Sequence, residues 1–185
     1  SGDTDLTGIP SQFAGVLAPH SDFEADIDFP NIVNLGYGWQ VNEDFRVGAD
    51  IEWVEHTRNQ SIPIDVGVNS AAGLFPPALP QGWKDNWNAG VAGAWRVSET
   101  VELRSGYKFL ASPIPSDTLS PSLPDADKHM LTVGLGWQSG VHTVDTALTY
   151  AILDNRTVTD SYDPRLNGEY EMDSLIMGLS YGYAF

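Results

Sequence analysis

The sequence predicts an all-β protein, a transmembrane antiparallel β-barrel of the outer-membrane type, to which this chain contributes about seven strands. Seven segments alternate apolar residues with small or polar ones, which is the pattern of strands that have lipid on one side and a polar lumen on the other. Short and long connections alternate between these segments. No run of about 18 apolar residues is present, so a transmembrane helix is excluded.

The seven segments follow one another along the chain, and each has an apolar face that we expect to contact lipid. The first begins near Ser21 and ends at Gln40. Each segment has about ten residues or more, the length that a tilted strand needs to cross a bilayer. The apolar faces comprise, in chain order, Leu35, Tyr37 and Trp39; Phe45, Val47, Ala49, Ile51 and Trp53; Ala89, Val91, Trp95 and Val97; Val101, Leu103, Tyr107 and Phe109; Leu131, Val133, Leu135 and Trp137; Val144, Leu148, Tyr150 and Ile152; and Leu175, Met177, Leu179, Tyr181, Tyr183 and Phe185.

The connections predict the orientation of the barrel, because outer-membrane barrels have short periplasmic turns and long extracellular loops. Three short turns at 41–44, 98–100 and 139–140 alternate with three long segments at 58–82, 111–127 and 154–173. Aromatic residues at both ends of the strands indicate two interfacial girdles. They are Trp39, Phe45, Trp95, Trp137 and Phe185 on the short-turn side, and Trp53, Trp87, Phe109 and Tyr150 at the other ends.

A soluble β-sandwich or a lipocalin-like barrel would also show alternating strands. In such a fold the polar face would lie in a dry core, where each unpaired charge is strongly unfavourable. The charged residues of that face are Arg46, Asp50, Glu52, Glu102, Arg104, Lys108 and Asp145. A wet lumen in which these charges pair removes the cost, so the pattern favours the membrane barrel.

Composition excludes several classes of function. The 185 residues carry a formal net charge of −16 with nine Lys and Arg, which opposes binding to nucleic acid. There are no cysteines, and His20, His56, His129 and His142 lack the spacing of a metal site. No phosphate-binding loop is present. We therefore expect no metal, no cofactor and no enzymatic activity.

Two carboxylates near the fifth strand could suggest a catalytic pair. Asp125 and Asp127 follow Pro124 at the entrance of that strand. We interpret them instead as residues that fix a turn by accepting hydrogen bonds from backbone donors, since Asp is favoured in turns for that reason.

Several motifs give the chain a more specific resemblance. They are Ile27-Asp28-Phe29-Pro30 followed by Asn34-Leu35-Gly36-Tyr37; Gly82-Trp83-Lys84-Asp85-Asn86-Trp87; Arg104-Ser105-Gly106-Tyr107 followed by Ser112-Pro113-Ile114-Pro115; Pro121-Ser122-Leu123-Pro124-Asp125-Ala126-Asp127-Lys128-His129; and Tyr183-Ala184-Phe185. In this order and spacing the chain resembles the FadL-type outer-membrane channels for long-chain fatty acids and other hydrophobic compounds. One departure is Lys128, which stands where that family usually has Arg.

The resemblance implies a place in a larger barrel of fourteen strands with an N-terminal hatch. Residues 1–20 would be the remnant of an extracellular loop, and residues 21–185 the C-terminal strands of the barrel. The implied partners are membrane lipid, a hydrophobic small-molecule ligand and a complementary N-terminal barrel polypeptide. The implied function is passive uptake of long-chain fatty acids or similar hydrophobic molecules across the bacterial outer membrane. A structural or assembly barrel without transport is the alternative, and the sequence does not distinguish a fatty acid from an aromatic hydrocarbon as substrate.

The candidate ligand-binding residues lie in the connection between the second and third strands. The apolar ones, which could contact an acyl chain or form a small core within the loop, are Ile62, Ile64, Leu74, Phe75, Leu79 and Trp83. By the resemblance, Lys84 lies near the place where a basic residue meets the ligand carboxylate. A salt bridge of Lys84 with Asp85 or Glu52 is the alternative.

Overall fold

The computed structural model describes residues 2–13, 16–25, 28–58, 60–71, 73, 77–121 and 123–185. Apart from one five-residue helix and four short 3₁₀ turns, the regular elements of the described residues are all β-strands, which confirms the predicted class. The elements are β1 (Gly2–Asp5), β2 (His20–Ala25), β3 (Ile32–Gln40), β4 (Phe45–Val54), β5 (Ser61–Asp65), α1 (Gly67–Ala71), β6 (Ala78–Pro80), β7 (Asn86–Arg96), β8 (Val101–Leu110), β9 (Lys128–Ser139), β10 (His142–Leu153), β11 (Arg156–Val158), β12 (Gly168–Tyr170) and β13 (Asp173–Tyr183). Short 3₁₀ turns lie at Ser11–Phe13, His56–Arg58, Ser116–Thr118 and Pro164–Leu166.

Seven long strands form one sheet in the order β13–β10–β9–β8–β7–β4–β3. Every neighbouring pair is antiparallel. The strands have 9 to 12 residues, enough to cross a bilayer when tilted. The predicted seven membrane strands are therefore present. Within the described residues β3 and β13 each pair on one side only, so the sheet is open at both edges.

The sheet curves so that its small and polar residues lie on the concave face. A cavity of about 1250 Å³ opens on this face and is lined by residues from all seven strands. The apolar residues point the other way, and Leu35, Met177 and Leu179 are 73%, 78% and 77% exposed on the convex face. A continuous apolar face of this kind suits contact with lipid, whereas soluble proteins rarely expose one.

The short turns lie together at one rim of the sheet. In the first of them the backbone N–H of Val41 donates to the carbonyl oxygen of Phe45 at 2.9 Å. Trp39, Trp95 and Trp137 stand beside these turns and are 57%, 54% and 39% exposed. Their alternation with inward-facing residues places them on the convex face, so the aromatic girdle predicted for this rim is present.

The opposite rim carries a second sheet in the order β1–β2–β5–β6. It joins the N-terminal segment to the long connection between β4 and β7, and we call it, together with α1, the cap sheet. Asn69 of α1 is fully buried and links the long connection to the N-terminal segment. Its Oδ1 accepts a hydrogen bond from the backbone N–H of Ala18 at 2.9 Å, and its Nδ2 donates to the carbonyl oxygen of Ala18 at 3.1 Å. The Ser21 hydroxyl donates to the carbonyl oxygen of Val66 at 2.6 Å.

The first strand of the large sheet begins at Ile32, whereas the sequence pattern placed its start near Ser21. In β2 the backbone of Ser21 pairs with Thr4 of β1, so this segment belongs to the cap sheet. Pro30 lies just before β3 and has no N–H to give to a ladder, which separates the two stretches. The boundary predicted between residues 20 and 21 thus falls within the cap sheet.

The long connections are held by small apolar clusters rather than by one large core. The first cluster consists of Ile114, Leu119 and Val158, with Trp83 and Tyr170 packed against it. The second consists of Ala126, Ala151 and Leu153, with Met130 packed against it. None of the helices in the described part of the chain is long and apolar enough to span a membrane.

Candidate functional site

The concave face of the seven-stranded sheet forms the wall of a lumen. Most of the inward positions that line its cavity of about 1250 Å³ are occupied by glycine or alanine. They are Gly36, Gly38, Gly48, Gly90, Ala92, Ala94, Gly106, Gly134, Ala147 and Gly178. Because these residues add little volume to the backbone, the wall leaves space for an elongated or bulky molecule.

Charged side chains on the lumen wall pair with one another. Glu102 Oε1 lies 3.0 Å from Arg46 Nη2 and 2.6 Å from Arg104 Nε, and Arg104 Nη1 lies 2.7 Å from Asp145 Oδ1. The network therefore spans from β4 to β10. The inward charges thus pair with one another, as the sequence predicts for a wet lumen.

The ion pairs reach across intervening strands where those strands lack bulky side chains. Lys108 Nζ of β8 lies 3.2 Å from Asp50 Oδ2 of β4, with Gly90 of β7 between them in register. A Cβ built on Gly90 would lie 2.7 Å from Asp50 Oδ1. Glycine at this position leaves room for the Asp50 carboxylate, and its backbone angle is an ordinary one.

A polar collar lies toward the end of the wall that carries the long connections. Glu52 accepts hydrogen bonds from Asn88 Nδ2 at 2.9 Å and from Asn34 Nδ2 at 3.4 Å. Asn88 Oδ1 in turn accepts from the backbone N–H of Ala111 at 3.1 Å. The carboxylate of Glu52 is thus satisfied by amide groups of the neighbouring strands.

Lys84 stands just beyond this collar and is exposed. Its backbone N–H donates to the carbonyl oxygen of Pro113 at 2.9 Å. Its ammonium group makes no ion pair with any described residue, so neither of the salt bridges considered for it is formed. Asp85 has other partners. Its Oδ1 accepts hydrogen bonds from the backbone N–H of Thr57 at 3.0 Å and from the Thr57 hydroxyl at 2.8 Å. These hydrogen bonds hold the pKa of Asp85 below its usual range.

Trp83 packs against the loop cluster of Ile114, Leu119 and Val158. This packing agrees with the alternative considered from the sequence, in which apolar loop residues form a small core. Its indole ring meets the imidazole of His56 edge to face, with ring centroids 5.7 Å apart and planes at 76°. Burial lowers the pKa of His56, although the nearby carboxylates of Asp85 and Asp125 act in the opposite direction. Sequence reasoning set His56 aside because it lacked metal-site spacing. β4 ends at Val54 and His56 begins the next 3₁₀ turn, so the available signal was the register of Val54 with Asn86, extended beyond the two strands.

Three of the other predicted apolar residues, Ile62, Ile64 and Leu79, lie in the cap sheet. Ile62 of β5 is directly opposite Leu79 of β6, and Ile64 follows on the same side of β5. Within the described residues these three are not members of the cluster around Trp83. The predicted site residues Leu74 and Phe75 lie outside the described residues.

Asp125 and Asp127 accept hydrogen bonds from Ser112, as expected for carboxylates that satisfy backbone donors, but they tie two segments together and do not fix a local turn. Asp127 Oδ1 accepts a hydrogen bond from the backbone N–H of Ser112 at 2.7 Å, and Asp125 Oδ2 accepts from the Ser112 hydroxyl at 2.6 Å. Lys128 pairs with Asp125. No group of three or more His, Cys, Asp or Glu side chains in the described ranges is arranged to hold a metal ion.

Sequence reasoning did not identify Arg156, which ties two long loops together. Its Nη1 donates to the carbonyl oxygens of Ile114 at 2.8 Å and Asp125 at 3.2 Å, and its Nη2 donates to the Ser116 hydroxyl at 2.9 Å. Arg156 belongs to no motif or periodic pattern in the sequence, so only the three-dimensional structure reveals this role.

The sequence profile of the family described as outer membrane protein transport protein (OMPP1/FadL/TodX) matches residues 3–185. The chain belongs to this family. Its members are outer-membrane transport proteins, which places the protein in the bacterial outer membrane and confirms the resemblance found in the motifs.

Individual members of the OMPP1/FadL/TodX family show the same relationship. The chain is 25% identical over 160 residues to the long-chain fatty acid transport protein of Escherichia coli strain K12, covering 83% of this chain and 34% of that protein. It superposes on a Pseudomonas aeruginosa FadL homologue with a TM-score of 0.75 at 22% identity, covering 90% of this chain and 38% of the other. For the toluene transporter of Ralstonia pickettii the TM-score is 0.58 at 15% identity, covering 89% and 36%. The chain spans about a third of the length of the curated relatives that it matches.

Proposed function

We propose that this chain is the C-terminal part of an outer-membrane channel for passive, non-enzymatic uptake of long-chain fatty acids or similar hydrophobic molecules. The observation that carries the proposal is the exposed Lys84 ammonium, which has no ion pair with any described residue and follows Trp83, a residue that packs against an apolar cluster. A cation beside an apolar surface matches the two ends of a fatty acid. The cavity of about 1250 Å³ behind it provides a path along the lumen.

In this proposal the ligand first meets the extracellular side of the barrel. Ile64, Leu79 and Trp83, with the predicted contacts Leu74 and Phe75, bind the acyl chain by excluding water from it. Lys84 pairs with the carboxylate. The ligand then moves along the wall of small residues, and no bond is made or broken.

The channel needs further strands to close, because unpaired backbone groups in lipid are strongly unfavourable. As first and seventh strands of an antiparallel meander, β3 and β13 both run from the long-loop rim to the short-turn rim. A partner that pairs antiparallel with both edges must present two strands running the other way, and therefore an odd number of strands. A second copy of this chain presents the wrong directions. We propose that a complementary N-terminal barrel segment, on the same polypeptide or another, supplies these strands.

Domain boundaries follow from the same assignment. We propose that residues 2–25 belong to the extracellular cap and that the membrane part begins at β3. Lipid contacts the convex face, where the exposed apolar residues of the seven strands lie.

Uptake of radiolabelled oleate by cells with and without the intact protein tests the proposal. We expect uptake above background that falls several-fold when Lys84 is replaced by Met. The matched control is Arg165→Met, which removes an exposed cation that is already paired with Asp163 and should leave uptake unchanged. Correctly assembled protein without any uptake would instead support the alternative, a structural or assembly barrel that has no transport activity.

A further inference from the structure

Two histidines lie on the convex face of the seven-stranded sheet, one at each rim. His142 begins β10 directly opposite Tyr183 of β13, and residues directly opposite each other share a face of the sheet. Tyr183 has the same alternation as Met177, which is exposed on the convex face. On β9, His129 has the same alternation as the convex residue Val133. His142 lies at the short-turn rim, and His129 lies at the rim of the long connections.

These two imidazoles are the only basic side chains on the convex face of the seven strands, every residue of which the structure describes. All Lys and Arg residues of these strands have the opposite alternation and face the lumen. They are Arg46, Arg96, Arg104, Lys108 and Lys128. Membrane proteins commonly attract anionic lipid headgroups with Lys and Arg. On this face of the seven strands, only the two histidines can provide a cation for that purpose.

The ring of His142 is held by two tyrosines of β13. Its Nδ1 lies 2.8 Å from the hydroxyl oxygen of Tyr181, and the two rings stack with centroids 6.0 Å apart and planes at 27°. The ring of Tyr183 lies 5.4 Å away at an angle of 56°. Because Nδ1 is already bonded, Nε2 is the nitrogen that can bind another group. Among the described residues Nε2 has no hydrogen bond and no ion pair.

His129 has the same kind of partner but differs at Nε2. Its Nδ1 lies 2.7 Å from the hydroxyl oxygen of Tyr107, and these rings also stack with centroids 6.0 Å apart. Its Nε2, however, lies 3.7 Å from Asp154 Oδ1, so a carboxylate already stands where an anion would have to bind. The acidic residue of β10 that is nearest to His142 in the chain is Asp145, which faces the lumen. His142 is therefore the histidine that can accept an anion.

We propose that His142 binds the phosphate of an anionic phospholipid, with Nε2–H as the donor. The Tyr181 hydroxyl donates to Nδ1, so that the ring carries its proton on Nε2. Ser139, directly opposite His142 on β9, supplies a second donor on the same face. Lipid is the molecule that covers this apolar face, and the phosphate oxygens of its headgroup accept strong hydrogen bonds from a charged imidazole.

The position of the site defines the lipid further. Outer-membrane barrels have their short turns in the periplasm, so a lipid at the short-turn rim belongs to the inner leaflet. The headgroup phosphate lies at the level of His142, and the acyl chains run along the apolar convex surface, where Leu179 and Met177 are 77% and 78% exposed. This inference concerns the lipid around the barrel and goes beyond the molecule that the channel carries.

Lipid retention tests the proposal. The intact protein is reconstituted into nanodiscs of phosphatidylethanolamine with a minor share of phosphatidylglycerol, and the lipids that stay bound are counted by native mass spectrometry. We expect His142→Phe to lower the affinity for phosphatidylglycerol about fivefold, with phosphatidylethanolamine unchanged. His142→Lys keeps a cation and should retain phosphatidylglycerol. His129→Phe is the matched control and should alter neither lipid, because Nε2 of His129 faces Asp154.

A measurement on the parent protein guards against misfolded variants. Solid-state NMR of the intact protein with isotope-labelled histidine should show a contact between one histidine Nε2 and lipid phosphorus. Absence of any such contact would overturn the proposal. It would also be overturned if His142→Phe retained phosphatidylglycerol as well as the parent protein, or if His129→Phe lost it equally. None of these readouts depends on oleate uptake, so their failure would leave the proposed function standing.

Discussion

Arg104 Nη1 and Asp145 Oδ1 lie 2.7 Å apart although strand β9 separates the two strands that carry them. Gly136 occupies the intervening position, and a Cβ built there would lie 2.7 Å from Arg104 Nη2 and 3.0 Å from Asp145 Oδ1. Both side chains are nearly half exposed, so the pair contributes at most about 1 kcal/mol to stability. The pairing is better explained as a way to hold the Arg104 guanidinium and the Asp145 carboxylate close to the lumen wall.

Replacing Gly136 by Ala should disturb this pair. The added methyl group must displace the Arg104 guanidinium, which is the far end of a flexible side chain, so we expect the free energy of unfolding to fall by at most about 1 kcal/mol. Gly48→Ala is the matched control, because a Cβ there meets only the carbonyl oxygen of Tyr37 at an ordinary 3.5 Å. Urea unfolding of the intact protein in detergent, followed by tryptophan fluorescence, measures both. Equal losses in the two variants would contradict the role of Gly136.

Val133 and Thr132 are neighbours on β9 that face opposite sides of the wall. Val133 is 57% exposed on the convex face, whereas the hydroxyl of Thr132 lies 2.7 Å from that of Thr149 on the lumen side. Val133→Arg places a charge in lipid and should cost about 2–4 kcal/mol. Thr132→Arg faces water and should cost clearly less. The same destabilisation of both variants in a detergent unfolding assay would show that Val133 and Thr132 have been assigned to the wrong faces of the sheet.

Removal of the Arg156 guanidinium should loosen the extracellular loops without unfolding the strands. In Arg156→Met the carbonyl oxygen of Ile114 and the hydroxyl of Ser116 lose their donor, at a cost of about 1–3 kcal/mol. Faster proteolysis of residues 111–127 in intact cells measures the effect. Arg165→Met is the control, since that side chain bonds only to Asp163 among the described residues. Unchanged proteolysis of the Arg156 variant would contradict the prediction.

The sequence could predict the membrane strands because their pattern is local. A period-two alternation such as Leu35, Tyr37 and Trp39 specifies both a strand and its lipid side without reference to distant residues. The cap sheet could not be predicted in this way. Its pairing of β2 with β5 is short, and it depends on contacts such as Asn69 with Ala18, which lie 51 residues apart in the chain.

The candidate site shows the same division. Lys84 was identified by a motif, and the structure adds that its ammonium makes no ion pair within the part of the chain that is described. His56 was missed because nothing in the neighbouring sequence indicates that it contacts Trp83, 27 residues later. Contacts between loops follow from how the strands align, and a register extended past Val54 and Asn86 was the available clue.

Stability should depend on pH through His56. Burial lowers the pKa of His56 below its ordinary value of 6.5, so the unfolded chain binds a proton more readily than the folded one. The contribution of neutral His56 is therefore complete above about pH 6.5 and is lost as the pH falls below it. Unfolding of the parent protein and of His56→Gln, measured between pH 8 and pH 5, should differ in this range. Parallel pH profiles of the two proteins would exclude a contribution of His56.

The two open edges give the last prediction. Because β3 and β13 run in the same direction, direct pairing would create a parallel seam in an otherwise antiparallel barrel. We expect each edge to pair with a strand from the complementary segment instead. The chain has no cysteine, so Leu35→Cys and Leu179→Cys can be combined on a clean background and oxidised in intact outer membranes. No disulfide between these two positions should form within the chain, because complementary strands lie between the edges. Rapid formation of that disulfide would show that the seven strands close on themselves as a small barrel.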